Sequence, residues 1–137
     1  MIPIHDYDLI VVGSGPAGLA AAVSAKKNGV DSVLIIDRDV EPGGILLQCV
    51  HSGFGLETFG EDLPGPSYAQ RYIQDAESLH IDFLMDTMVL DVTKDFSVTV
   101  SNEKFGIQIF QAKAIVLAMG CRERSRAQIH LSGTRPA

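Results

Sequence analysis

Three glycines mark the place where this chain could do chemistry. Gly13, Gly15 and Gly18, in the run VVGSGPAG at 11–18, follow the spacing G-x-G-x-x-G, a pattern whose backbone closes around a pyrophosphate. Gly13 permits a tight turn, Gly15 lets the backbone approach the phosphates, and Gly18 lets a helix pack on a strand. Ser14, Pro16 and Ala17 fill the rest of the loop. A helix starting at Pro16 would aim free N–H groups and partial positive charge at the anion. Asp37 stands 24 positions after Gly13, where a carboxylate can accept hydrogen bonds from ribose hydroxyls and would repel a 2′-phosphate. Arg38 follows it. The bland alternatives are a turn with a chance glycine spacing and a solvated acid at a strand end.

These residues need a strand–helix–strand frame, and the sequence supplies one. Asp8 to Val12 is a short apolar run suited to a strand buried on both faces. Pro16 fits a first helical turn, Lys26 and Lys27 fall in the last one, and Gly29 can end it. Ser32 to Ile36 is a second apolar run ending at Asp37. Residues 40–65 hold six glycines and two prolines without a period, which predicts loops with room for one short helix. Ser67 and Gln70 have capping-box spacing ahead of Ala69, Tyr72, Ile73, Ala76 and Leu79, so a helix is expected from there. Ile81 to Met85 reads as a third strand. The period then becomes two, with Met88, Leu90 and Val92, then Phe96, Val98 and Val100, then Phe105, Ile107 and Ile109. That alternation predicts a three-stranded antiparallel meander over 87–112. Ala114 to Ala118 returns to an unbroken apolar run, a fourth core strand ended by Gly120. The expected fold is therefore α/β: a doubly wound, Rossmann-like parallel sheet carrying an inserted meander.

Composition narrows the partners. Eleven basic and 17 acidic side chains give a formal charge of −6 over 137 residues, and nucleic-acid binding needs a basic face instead. No apolar stretch is long enough to span a bilayer, and the N-terminus lacks a signal-peptide layout. Two cysteines, Cys49 and Cys121, make no disulfide framework. A cytoplasmic setting is the simplest expectation. His5, His80 and His130 form no metal-ligand spacing. Arg122, Arg124 and Arg126 could address an anion, though a solvated basic loop is the plainer reading. Glu61–Asp62 reads as a solvated turn, and the Tyr and Phe residues as packing groups.

Beyond the glycine pattern, the meander ahead of the run AIVLAMG at 114–120, and the pair Gly43–Gly44, resemble the FAD domain of flavoproteins with two dinucleotide-binding domains. In that group an A-T-G motif ends this strand beside the cofactor; here it is Ala118, Met119 and Gly120. The resemblance implies FAD as cofactor, held by residues 13–18, Asp37, Arg38, Gly43, Gly44 and 118–120. Its disulfide reductases carry two cysteines after the glycine pair, at positions occupied here by Leu46 and His51. A dithiol mechanism of that kind is absent. Cys49 and His51 would lie near the flavin ring and are weak catalytic candidates; with no paired acid or base in the sequence, a buried thiol and a loop histidine with a local hydrogen bond are the plainer reading.

The runs PGGILLQCVHSGFG at 42–55, AIVLAMGCRERSR at 114–126 and the final GTRPA are similar to a narrower family. These are the NAD(P)/FAD-dependent oxidoreductases related to the α-type subunits of sarcosine, opine and cyanide-forming amino-acid oxidising complexes. Relatives also accompany glycerol-3-phosphate dehydrogenase-like proteins. The resemblance implies the N-terminal part of a flavin-dependent oxidoreductase moving electrons between a small metabolite or NAD(P)H and an acceptor. Residues 1–137 would then be an incomplete FAD-binding domain, with 121–137 starting a linker to a second, NAD(P)-binding domain. Activity of these residues alone is expected to be weak. The competing expectation is a non-catalytic binder of ADP moieties, or an assembly piece of a larger complex.

Overall fold

The computed structural model describes residues 4–121 together with 124, 128 and 130. The chain opens with β1 (Ile4–Val12), α1 (Pro16–Lys27) and β2 (Val33–Ile36). A 3-10 turn at Gly44–Gln48 and the one-turn helix α2 (Leu56–Phe59) lead into α3 (Gly65–Ser78). Then come β3 (Asp82–Leu84), β4 (Thr87–Val92), β5 (Ser97–Asn102) and β6 (Gly106–Leu117). One six-stranded sheet results, in the order β3-β2-β1-β6-β5-β4. β3, β2, β1 and β6 run parallel, while β5 and β4 continue antiparallel from β6. The α/β, Rossmann-like architecture with its meander is thus the one observed.

The apolar runs of β1 and β2 are continuous because both faces of these strands are covered. Leu9, Val11, Val33 and Ile35 face Leu19, Ala22 and Val23 of α1 and Ala76 of α3. Ile10, Val12, Leu34 and Ile36 point the other way and meet Val98, Val100, Phe110 and Ala112. The helices therefore lie on one face and the meander folds over the other. Ile10, Ile35 and Ile36 are fully buried, and each such side chain stabilises the fold by about 1.5–3 kcal/mol.

Three expectations need correction. The third meander strand and the fourth core strand are one element: β6 pairs antiparallel with β5 along 106–111 and parallel with β1 from Ile109 to Leu117. A twelve-residue strand can serve both the antiparallel and the parallel part of the sheet because its sequence alternates first and turns continuously apolar later. Secondly, α3 starts at Gly65 with Pro64 before it, and no side chain caps it. Ser67 already lies inside the first turn, so the capping box does not form. Pro66 is pre-set for helical φ, and the Gly65 N–H donates to the Cys49 carbonyl at 2.8 Å, which together draw the start upstream. Thirdly, residues 40–65 hold two short helical turns rather than one.

In the meander, the buried side chains on β4 and at the end of β5 are polar. Thr87 and Asn102 are buried, while Met88, Leu90 and Val92 are exposed around an irregularity between Val89 and Asp91. The Asn102 amide donates to the Asp86 carbonyl at 2.8 Å and to Thr87 Oγ1 at 2.9 Å, and its Oδ1 accepts the Lys104 N–H at 2.8 Å. Phe96 sits before β5 at φ 59°, and both Phe96 and Phe105 are exposed, so they lie outside the buried core.

Candidate dinucleotide-binding site

The glycine loop lies where β1 ends and α1 begins, at the carboxyl edge of the parallel strands, which is where open α/β sheets place ligands. Gly13 has φ 107°, and its N–H donates to the Ile36 carbonyl at 2.8 Å. A Cβ there would fall on the Ala118 carbonyl, so the turn needs glycine for both its dihedral and its neighbour. Gly18 packs its Cα beneath the loop: a Cβ would lie 2.9 Å from the Gly13 carbonyl carbon and 3.3 Å from Val11 Cγ1. At Gly15 the same construction meets nothing within 4 Å. The three roles expected from the sequence thus correspond to two crowded positions and one that faces open space.

Helix α1 begins at Pro16 without an acidic residue in its first turn. Its first hydrogen bond runs from the Leu19 N–H to the Gly15 carbonyl at 3.0 Å, so the N–H groups of Ala17 and Gly18 precede the helical ladder. Open space at Gly15, free donors behind it and no nearby carboxylate in that turn are what a pyrophosphate requires.

Asp37 follows the last residue of β2. Its Oδ2 accepts both the Ser14 N–H and the Ser14 hydroxyl at 2.6 Å, and its Oδ1 accepts the Asp39 N–H at 3.0 Å. Ser14 itself is completely buried. Main-chain bonds extend the join to the meander: the Thr87 N–H donates to the Asp37 carbonyl and the Asp86 N–H to the Asp39 carbonyl, both at 2.9 Å. Arg38 is exposed and lines a cleft with Asp86, Met88, Ser101, Asn102 and Glu103.

The glycine pair closes the other side of the loop. The Gly43 N–H donates to the Ser14 carbonyl at 2.9 Å, and a Cβ on Gly44 would come within 2.9 Å of Gly15 Cα. Ala118 donates its N–H to Val12 at 2.8 Å, which sets Ala118, Met119 and Gly120 beside Gly13; Met119 is exposed. Residues 13–18, 37, 43–44 and 118–120, separated widely in sequence, therefore meet at one edge of the sheet. Sequence reasoning missed Asp39, Asp86 and Thr87, which act through main-chain groups and leave no side-chain signal.

Residues 7–134 match the pyridine nucleotide-disulphide oxidoreductase family. The chain belongs to that family. Among its relatives, thioredoxin reductase of Ureaplasma parvum serovar 3 is 29% identical over 121 residues, covering 86% of this chain and 36% of the relative. An opine oxidase subunit of Agrobacterium tumefaciens is 30% identical over 128 residues, covering 86% and 24%. The solved structure of thioredoxin reductase from Streptococcus pyogenes superposes with a TM-score of 0.67 at 26% identity, over 88% of this chain and 37% of that one. L-proline dehydrogenase from P. horikoshii shares the fold, with a TM-score of 0.71 at 22% identity over 88% and 24%. The chain spans about a quarter to just over a third of the length of these relatives.

Within this oxidoreductase frame the remaining candidates are placed as follows. Cys49 is half-buried, and Cys49 and Cys121 are free thiols. Leu46, at one position where a reductase dithiol would need cysteine, is buried. His51 is exposed; its Nδ1 pairs with the Ser52 carbonyl at 2.9 Å and its ring lies 5.3 Å from that of Phe54. Phe54, Phe59, Tyr68 and Tyr72 continue as a cluster of ring contacts, and burial, with Tyr68 as second cause, pushes the Tyr72 phenol pKa up. Glu61 and Asp62, expected as a solvated turn, are exposed but engaged: Glu61 pairs with Arg71 at 2.6 Å and Asp62 accepts the Gly53 N–H at 2.7 Å. Arg124 is exposed; Arg122 and Arg126, like most of 121–137, lie outside the described residues. Among the described residues there is no metal-ligating cluster and no helix long and apolar enough to cross a membrane.

Proposed function

We propose that this chain is the FAD-binding portion of a flavin-dependent oxidoreductase. The observation that carries the reading is the glycine cradle in an oxidoreductase-family fold, with Gly15 open, Gly44 against it and the Asp37 carboxylate at its rim. The residues fit an ADP moiety. Ala17 and Gly18 would donate to the pyrophosphate from the start of α1, Asp37 would accept from the ribose, and Gly43–Gly44 and 118–120 would flank the cofactor's path toward the redox end. Bound FAD would supply two-electron redox chemistry. The chain's own share is to hold and orient it, and Cys49 and His51 remain proposals for the substrate side.

Electrons would pass between a small metabolite or NAD(P)H and an acceptor, with NAD(P) held by further chain beyond these residues. Relatives named as subunits of opine oxidase and of a hydrogen cyanide synthase support assembly with other subunits. Two free thiols suit a cytoplasmic setting. The test is an FAD titration followed by the visible flavin spectrum, with NAD and ADP as competitors. Saturable binding with a shifted flavin band and preference for FAD over NAD is expected. Equal competition by ADP, NAD and FAD without any spectral change would favour a non-catalytic ADP-moiety binder instead.

A further inference from the structure

Asp37 is already committed to the protein at three points. Ser14, completely buried, gives its N–H and its hydroxyl to Oδ2 at 2.6 Å each, and the Asp39 N–H occupies one position on Oδ1 at 3.0 Å. An ionised carboxylate offers about four acceptor positions. Only one is left, and it belongs to Oδ1. A carboxylate that embraced both ribose hydroxyls would need one open position on each oxygen, and the Ser14 hydroxyl takes the one on Oδ2.

We propose that Ser14 is a positioning residue whose hydroxyl ties Asp37 Oδ2 to the glycine loop, so that Asp37 reads a single ribose hydroxyl through Oδ1. The proposal rests on the dinucleotide reading above and goes further by naming how many hydroxyls the site recognises and what limits the number. Ser14 lies 23 residues from Asp37 in sequence, and its main-chain carbonyl is meanwhile held by the Gly43 N–H at 2.9 Å. The serine therefore cannot drift from the carboxylate without disturbing both glycine loops, so the orientation of Asp37 is set before a ligand arrives. Setting it in advance removes an ordering cost from binding.

The test titrates ADP, 2′-deoxy-ADP and 3′-deoxy-ADP into the wild type, Ser14→Ala, Ser14→Cys and Asp37→Asn, with thermal melts of each. In the wild type one deoxy analogue should bind about tenfold or more weakly than ADP, and the other within about threefold, because only one hydroxyl meets the charged acceptor. In Ser14→Ala that contrast should shrink to about threefold or less. Ser14→Cys keeps the side-chain shape with a somewhat larger atom but donates weakly, so it should behave alike. The change should vanish when Ser14→Ala is made in the Asp37→Asn background, an outcome that a merely structural serine would not give. Equal weakening of both analogues in the wild type would overturn the proposal, as would full contrast retained in both Ser14 variants while ADP still binds. A cooperatively melting wild type that binds no ADP would overturn the dinucleotide reading itself, and the proposal with it.

Discussion

Gly15 and Gly18 belong to one motif but should fail in opposite ways when changed to alanine. Gly15 has φ −71° and ψ −175°, an extended conformation that alanine adopts freely, and its Cβ would meet nothing within 4 Å. The substitution also restricts the unfolded chain, which stabilises by about 0.4–1 kcal/mol at a compatible site. Gly18 gains about 1 kcal/mol of helix propensity as alanine. Against that, its Cβ would press on the Gly13 carbonyl, with the carbon at 2.9 Å, and on Val11 Cγ1 at 3.3 Å. Overpacking costs about 1–3 kcal/mol where side chains can yield. Here the obstacle is the backbone of the loop, so the upper end applies and the net loss is about 2 kcal/mol. At about 3–5 °C per kcal/mol for a chain of this size, Gly18→Ala should lower Tm by about 6–10 °C, while Gly15→Ala should leave it unchanged or slightly raised. Calorimetric ADP titration should then reverse the ranking: Gly15→Ala places a methyl in the proposed phosphate space and should lose at least about tenfold in affinity, or about 1.4 kcal/mol. A Gly15→Ala protein that melts early yet binds ADP as the wild type does would refute the reasoning, and so would a Gly18→Ala protein with an unaltered Tm.

Asn102→Ala should remove the two hydrogen bonds that hold the Asp86–Thr87 corner and the one its Oδ1 accepts from the Lys104 N–H, and leave the Asp86 carbonyl without the amide, at a cost of about 2–3 kcal/mol. Urea unfolding checks it, and a loss under about 1 kcal/mol would contradict it. At the opposite end of the sheet, Lys113 beside Asp8, with the Ser32 N–H and hydroxyl, holds the Asp8 carboxyl down at about 2 against an ordinary 3.8. A depressed carboxyl contributes stability that is present above its unfolded pKa and is lost as pH falls toward the folded value. The Tm advantage of the wild type over Asp8→Asn should therefore be full above about pH 5 and close between about pH 4 and pH 2. An advantage independent of pH across that window would show that Asp8 is not acting through its charge.

The central strands were legible because burial on both faces writes unbroken runs such as LIVV and VLII, and α1 because proline, alanines, terminal lysines and Gly29 all agree. The glycine spacing was legible for a different reason: Gly13 and Gly18 each answer a local backbone or packing demand that no other residue meets, while Gly15 between them keeps its surroundings open. The unity of β6 was not, since its two halves obey different periods while facing different neighbours. The start of α3 was misplaced because a side-chain signal, Ser67 with Gln70, competed with the contact of Gly65 against Cys49 and lost. The bonds from Ser14 and Thr87 to Asp37 join segments that only the folded sheet brings together, and the Asp39 N–H adds a contact from two residues on.

The most direct test of the central claim is to follow the backbone amide resonances of the protein by NMR while ADP is added. The account predicts saturating shifts that are largest at Gly15, Ala17, Gly18 and Gly44, with further shifts at Asp37 and Arg38. Saturating shifts confined to the Arg38–Met88–Glu103 cleft or to the Asp8–Lys113 end of the sheet, with the glycine loop unmoved, would contradict it.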